Sequence, residues 1–151
     1  IGVIDGDGQY PIEAIVSCFA AIKINDYDFI KTYRVLRSDS LYRNIVSGIY
    51  NWLFKLLFPA YRGFQDVNSK PKIMKREAYG RMNLHAKDWF LDAEIVLNCL
   101  NLGLKMYEIP IKFQAINTRK SFVRINALLE FTRNLFAYRF GWPPFEDKRK
   151  L

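Results

Sequence analysis

The sequence predicts an α/β domain with a mostly parallel sheet flanked by helices. Short apolar segments alternate along the chain with longer segments of helical periodicity. Proline, glycine and Asp/Ser clusters fall at the joints between them. The 151 residues, 50% hydrophobic and 25% charged, have the size and composition of one globular domain with its own core, which excludes a disordered chain.

Residues 1–4, Ile-Gly-Val-Ile, read as a buried strand. A chain that starts inside a strand, without Met, reads as a fragment whose N-terminal part is absent. Residues 11–24 form a helix, with Pro11 in the first turn and Glu13 near the positive end of the helix dipole. Residues 27–33 are a strand. Ser38 or Asp39 caps a helix that runs to about Phe58 and is stopped by Pro59. Residues 72–75 make a short strand. Residues 88–102 are a helix ended by Gly103. Residues 105–113 form a strand in which Pro110 marks an edge or a bulge. A last helix spans 122–140, and a basic tail follows from Gly141. No internal repeat or low-complexity segment interrupts this order.

Charge is unevenly placed. Lys and Arg number 23 against 15 Asp and Glu, a net charge of +8. Residues 1–30 carry a net −4, whereas residues 31–151 carry +12. The balance points to an anionic partner such as nucleic acid, a phosphorylated ligand or acidic lipid; the alternative is solvated faces of opposite sign. Nucleic acid fits poorly, because the aromatics cluster with aliphatics in helices and no recognition motif appears. Cys18 and Cys99 sit in apolar helical patterns without disulfide or zinc spacing, and read as buried free thiols in a reducing compartment.

The segment 5–11, Asp-Gly-Asp-Gly-Gln-Tyr-Pro, is the most informative stretch. A strand delivers two carboxylates and an amide onto a glycine-rich turn ahead of a helix, and ligands of open α/β sheets gather at strand carboxyl ends. Asp5, Asp7 and Gln9 offer hard oxygen ligands suited to Mg²⁺ or Mn²⁺ that shares its other positions with phosphate. The alternative is a plain Asp/Gly turn. An EF-hand fits poorly, since Val16 stands where that loop needs its last carboxylate.

Further motifs follow in order. Tyr27-Asp28-Phe29-Ile30 leads to Arg34 and Arg37. Asp66-Val67-Asn68-Ser69-Lys70-Pro71 precedes a strand and Arg76-Glu77. Trp89-Phe90-Leu91-Asp92-Ala93-Glu94 opens a helix, and Gly103 precedes Tyr107-Glu108-Ile109-Pro110-Ile111. From Ile1 to about Arg124 this order resembles the family 2 glycosyltransferases of the GT-A fold, above all the polyprenyl-phosphate sugar synthases. The chain departs from that pattern in two places. It has no Val-Ile-Pro-x-Tyr-Asn-Glu-like segment for a nucleotide base, and it carries Ser69-Lys70-Pro71 where such proteins often have Ser-Gly-Phe.

The resemblance implies a metal-dependent, inverting transfer of sugar from a nucleotide-sugar donor to a polyprenyl-phosphate acceptor. Alternatives are a glycan or soluble acceptor, a non-catalytic basic domain, or a regulatory remnant that keeps the fold. Residues 1–121 would be the metal- and acceptor-binding part, and 122–151 a C-terminal amphipathic helix and basic tail. Asp5, Asp7 and Gln9 would hold the ion. Asp66, Asp92 and Glu94 would be the catalytic or positioning carboxylates. Asp92 and Glu94 stand two apart on a helix start, so at most one faces a cleft; the alternative for both is acids favoured by the dipole. Arg34, Arg37, Ser69, Lys70, Arg119 and Lys120 would bind substrate, with Arg43, Lys72 and Arg124 as further phosphate-binding cations. The single histidine, His85, reads as a loop-packing residue.

The apolar run 45–58 is too short to span a bilayer, which takes about 20 residues. Trp52 and its aromatic neighbours, with flanking cations, suit a headgroup interface; so does the last helix with Arg124, Arg133 and Arg139. Both segments equally suit a core. The interfacial reading places the protein peripherally at the cytoplasmic face of an anionic membrane.

Overall fold

The computed structural model of the protein describes residues 1–36, 41–112 and 125–142. The elements in order are β1 (Gly2–Val3), α1 (Ile12–Asn25), β2 (Phe29–Leu36), α2 (Leu41–Leu57), a 3-10 turn (Pro59–Tyr61), β3 (Lys72–Met74), α3 (Arg76–Gly80), α4 (Leu91–Asn101), β4 (Met106–Lys112) and α5 (Ile125–Phe140). The α/β class and the main elements follow the sequence prediction; α3 is additional.

Local chemistry explains the boundaries. Pro11 is extended and precedes the first helical residue rather than occupying it. Asp26 ends α1 in the left-handed region at φ 53°, where a short polar side chain is tolerated. Pro59 follows α2 and opens the 3-10 turn. Gly103, at φ 61°, closes α4, and the Leu104 N–H bonds back to the Cys99 carbonyl. At the other end Asp88 accepts the Phe90 N–H at 2.7 Å, so α4 starts three residues later than the acid that organises its approach.

The sheet has the order β1-β3-β2-β4. Among the described residues only β2 and β4 pair in parallel; β3 is antiparallel to both β1 and β2. The expectation of a mostly parallel sheet is therefore corrected to a mixed one. The cause lies between α2 and β3. Residues 58–67 double back along α2, placing the Tyr61 ring against Phe54 and the Val67 N–H on the Asn51 side chain at 3.1 Å. The chain thus returns toward the end of the sheet it had left, and β3 runs down beside β2. Pro110 lies in β4, an edge strand, where a missing N–H costs no ladder bond on the outer side.

Alternation along the strands splits the core in two. Phe29 and Met74 face a large cluster with α2, α4, α5 and the 3-10 turn. Ile30 and Ile73 face a small one with Cys18 and Ile22 of α1. Both cysteines are buried free thiols, and burial pushes Cys18 up to about 11 and Cys99 higher still. In α2 the inner residues Tyr50 and Phe54 are core, as is Phe58 just past its end, whereas Ile45, Ile49, Trp52 and Leu56 lie exposed at spacings of four, three and four. The run 52–58 is thus divided between core and surface. Leu135 and Tyr138 place the second half of α5 in the core, while Leu129 is exposed. Among the described residues no helix is long and apolar enough to cross a membrane.

Candidate active site

The turn after β1 places Asp5 beside the strand pair β1–β3, where Val3 is in register with Lys72. Lys70 reaches across from the preceding loop: its Nζ lies 2.7 Å from Asp5 Oδ1 and 2.9 Å from Asp92 Oδ2. Lys72 Nζ donates to the other oxygen of Asp92 at 2.5 Å. A ladder of alternating charge, Asp5–Lys70–Asp92–Lys72, so joins the acidic turn, β3 and the first turn of α4. Burial alone would lower the Lys70 amine, but Asp92 and Asp5 together hold it above its usual range. Burial works against ionised Asp92 as well, and the two lysines more than offset it.

The turn itself is tight. Asp7 Oδ1 accepts the Gln9 N–H at 3.1 Å, and Gly8 sits at φ 73°, a conformation that disfavours any side chain. Tyr10, next in line, is half-buried among Asp5, Lys70, Arg34 and Asp66; burial raises its hydroxyl pKa, against the pull of the two cations.

A second ionic group lies beside the first, where Lys31 of β2 is in register with Lys72 of β3. Arg34 grips Asp66 with both arms of its guanidinium, Nε at 2.7 Å and Nη2 at 3.1 Å. Lys31, fully buried, donates to the Asp66 carbonyl at 2.6 Å and pairs with Glu108, which accepts the Gln65 N–H at 2.7 Å. The Lys31 amine also lies over the Tyr61 ring. A cleft of about 320 Å³ opens here, lined by Tyr33, Arg34, Val35, Asn51, Gln65 and Asp66.

Several sequence expectations are relocated. Ser69 is fully buried; its hydroxyl bonds Thr32 at 3.0 Å, and the Thr32 hydroxyl also donates to the Lys70 carbonyl at 2.5 Å. Ser69 therefore fastens the loop to β2. Lys72, expected as a phosphate-binding cation, is fully buried against Asp92. Glu94 is fully buried and accepts the N–H groups of His85 at 2.9 Å and Ala86 at 2.8 Å, so it anchors the loop 82–90 instead of facing a cleft. His85 packs over that carboxylate, with Nδ1 at 3.6 Å, as a loop residue. Asp92 alone of the helix-start acids joins the ladder. Arg37, Arg119, Lys120 and Arg124 lie outside the described residues, as do the Ser38/Asp39 cap, the tail 143–151 and the side chain of Arg43.

Sequence reasoning missed Tyr10, Lys31 and Glu108. A lysine at an inward position of β2, opposite Glu108 in a parallel neighbour, was the available signal. Among the described residues no group of three or more His, Cys, Asp and Glu side chains is arranged to hold a metal ion. The donor set of the turn nevertheless suits one kind of ion. Mg²⁺ is commonly held by one or two carboxylates with waters and substrate phosphates completing the shell, and Asp5 already carries a stand-in cation in the Lys70 ammonium. Compared with family models and with curated proteins, the chain matches none.

Proposed function

We propose that the chain is part of a metal-dependent, inverting glycosyltransferase of the GT-A type. Sugar moves from a nucleotide-sugar donor to a polyprenyl-phosphate acceptor, with the protein peripheral at the cytoplasmic face of an anionic membrane. The observation that carries this reading is the convergence on one side of the sheet of Asp5, Lys70 and Asp92, residues from three motifs that lie far apart in the sequence.

In this reading Asp5 and Asp7, with the amide oxygen of Gln9, hold Mg²⁺ or Mn²⁺. Bound there, the ion would supply charge neutralisation for a departing diphosphate. The acceptor oxygen forms a bond to the anomeric carbon as the bond to the diphosphate breaks on the opposite face, which inverts the centre. A phosphate acceptor is already ionised and needs a cation to position it more than it needs a base. Arg34, at the wall of the 320 Å³ cleft, supplies that cation, and Asp66 fixes the plane of its guanidinium. Asp92 steadies Lys70 beside the diphosphate. The exposed stripe of α2 supports membrane contact.

A screen of sugar nucleotides with Mn²⁺ tests the reading. Expected is metal-dependent release of a nucleoside diphosphate that Asp7→Asn abolishes while the fold is kept. Full turnover in Asp7→Asn would remove the assignment.

A further inference from the structure

We propose that Lys70 is a tethered counter-ion that competes with the divalent cation for Asp5, so that this lysine sets the cation affinity of the site. The inference rests on the metal reading of the turn given above and goes beyond it in naming what the ion must displace.

Asp5 and Lys70 are exposed to very different degrees. The Asp5 side chain is 42% exposed, whereas that of Lys70 is 12% exposed. The ammonium therefore reaches Asp5 from within the protein, and a cation from solvent reaches the same carboxylate from outside. Both cannot sit at contact distance without strong repulsion in a partly buried site. Lys70 has somewhere to go: Asp92 Oδ2 holds it at 2.9 Å, and Asp92 is itself held by Lys72. Asp5, Asp92, Lys70 and Lys72 together are electrically balanced, so a bare divalent ion meets in Asp5 a carboxylate already neutralised. Diphosphate oxygens arriving with the ion would take up the displaced ammonium as a charge-assisted partner. Binding of metal and of diphosphate is then coupled through one side chain, and the ion alone binds weakly.

The test is titration of the protein with Mn²⁺ alone, reading free Mn²⁺ by its paramagnetic resonance signal. Wild type, Lys70→Met, Lys70→Gln, Lys70→Arg and Asp7→Asn are compared. Removal of the ammonium in Lys70→Met or Lys70→Gln is expected to tighten Mn²⁺ binding by about tenfold or more, and Lys70→Arg to stay within about twofold of wild type. A second reading needs no substitution at Lys70: saturating Mn²⁺ should raise the rate at which wild-type Lys70 is acylated, measured by mass spectrometry, because an amine displaced from Asp5 leaves its 12% exposed position and becomes open to the reagent. If binding is lost in Asp7→Asn but is unchanged without the Lys70 charge, or if Lys70 acylation ignores Mn²⁺, the competition is overturned and the metal site stands. If Mn²⁺ does not bind any variant, or binds Asp7→Asn as well as wild type, the metal reading itself fails and takes this inference with it.

Discussion

The Lys72 ammonium and the Asp92 carboxylate meet at 2.5 Å, although Lys72 lies in an inner strand with none of its side chain exposed. Burial pushes the Lys72 amine down to about 8 from 10.5, against the upward pull of Asp92. Below about 8 both folded and unfolded chains carry the proton, and folding bears the whole cost of burying it. Between about 8 and 10.5 the unfolded chain binds more protons than the folded one, so this residue's contribution to stability rises with pH. The gain is at most about 3 kcal/mol. Urea unfolding of wild type and Lys72→Met across that range should show their stability difference shifting in favour of wild type as pH rises. A flat difference would mean that Lys72 keeps its proton in the folded protein throughout this range, so that burial does not depress it. Asp92 behaves oppositely in acid: its contribution is present above 3.8 and is lost as pH falls through its lower folded value.

Glu94 should prove structural. Its carboxylate is fully buried and its oxygens receive the His85 and Ala86 N–H groups. Glu94→Ala strands those donors and is expected to cost about 3 kcal/mol or more, with Glu94→Gln costing less because one carbonyl oxygen remains to accept. Thermal melts check this. Donor turnover per folded molecule should be unchanged in Glu94→Gln, and a large loss of turnover at full stability would return Glu94 to catalysis.

These two acids show where the sequence was legible. Features fixed by a residue and its near neighbours, such as the stop at Pro59, the glycine closing α4 and the apolar settings of Cys18 and Cys99, were readable because their causes are local. The burial of Lys72 was not, because its partner is 20 residues away on another element. The direction of β3 was hidden for the same reason, since residues 58–67 fold back on α2 through contacts such as Tyr61 with Phe54. Asp92 and Glu94 could be told apart as facing different ways, but which of them met the acidic turn depended on Lys70, 65 residues from Asp5.

Arg34→Lys should separate charge from geometry. Lysine keeps the cation but cannot hold both Asp66 oxygens with two arms, as Arg34 does at 2.7 and 3.1 Å. Stability is expected to fall by about 1 kcal/mol. Donor hydrolysis should persist, while transfer to a phosphate acceptor falls by about tenfold or more, chiefly through a higher acceptor KM. An unchanged acceptor KM would exclude Arg34 from the acceptor site.

The outer stripe of α2 should govern attachment to membranes. Ile49 and Trp52 are 61% and 64% exposed, one helical turn apart, with Ile45 and Leu56 extending the line. Phe54, by contrast, is fully buried, so its replacement would test the core and not the surface. The informative variant is therefore Ile49→Ser with Trp52→Ser, which should leave the melting temperature close to that of wild type. Co-sedimentation with liposomes, with and without acidic lipid, is the measurement. Residues 31–151 carry +12, so binding is expected to be stronger on acidic vesicles and to weaken as salt rises, while the apolar part persists. The double variant should lose the salt-resistant part. If wild type does not bind, or if neither lipid charge nor the two serines changes binding, α2 has no interfacial role. A soluble acceptor would then be the better partner for the Arg34 cleft.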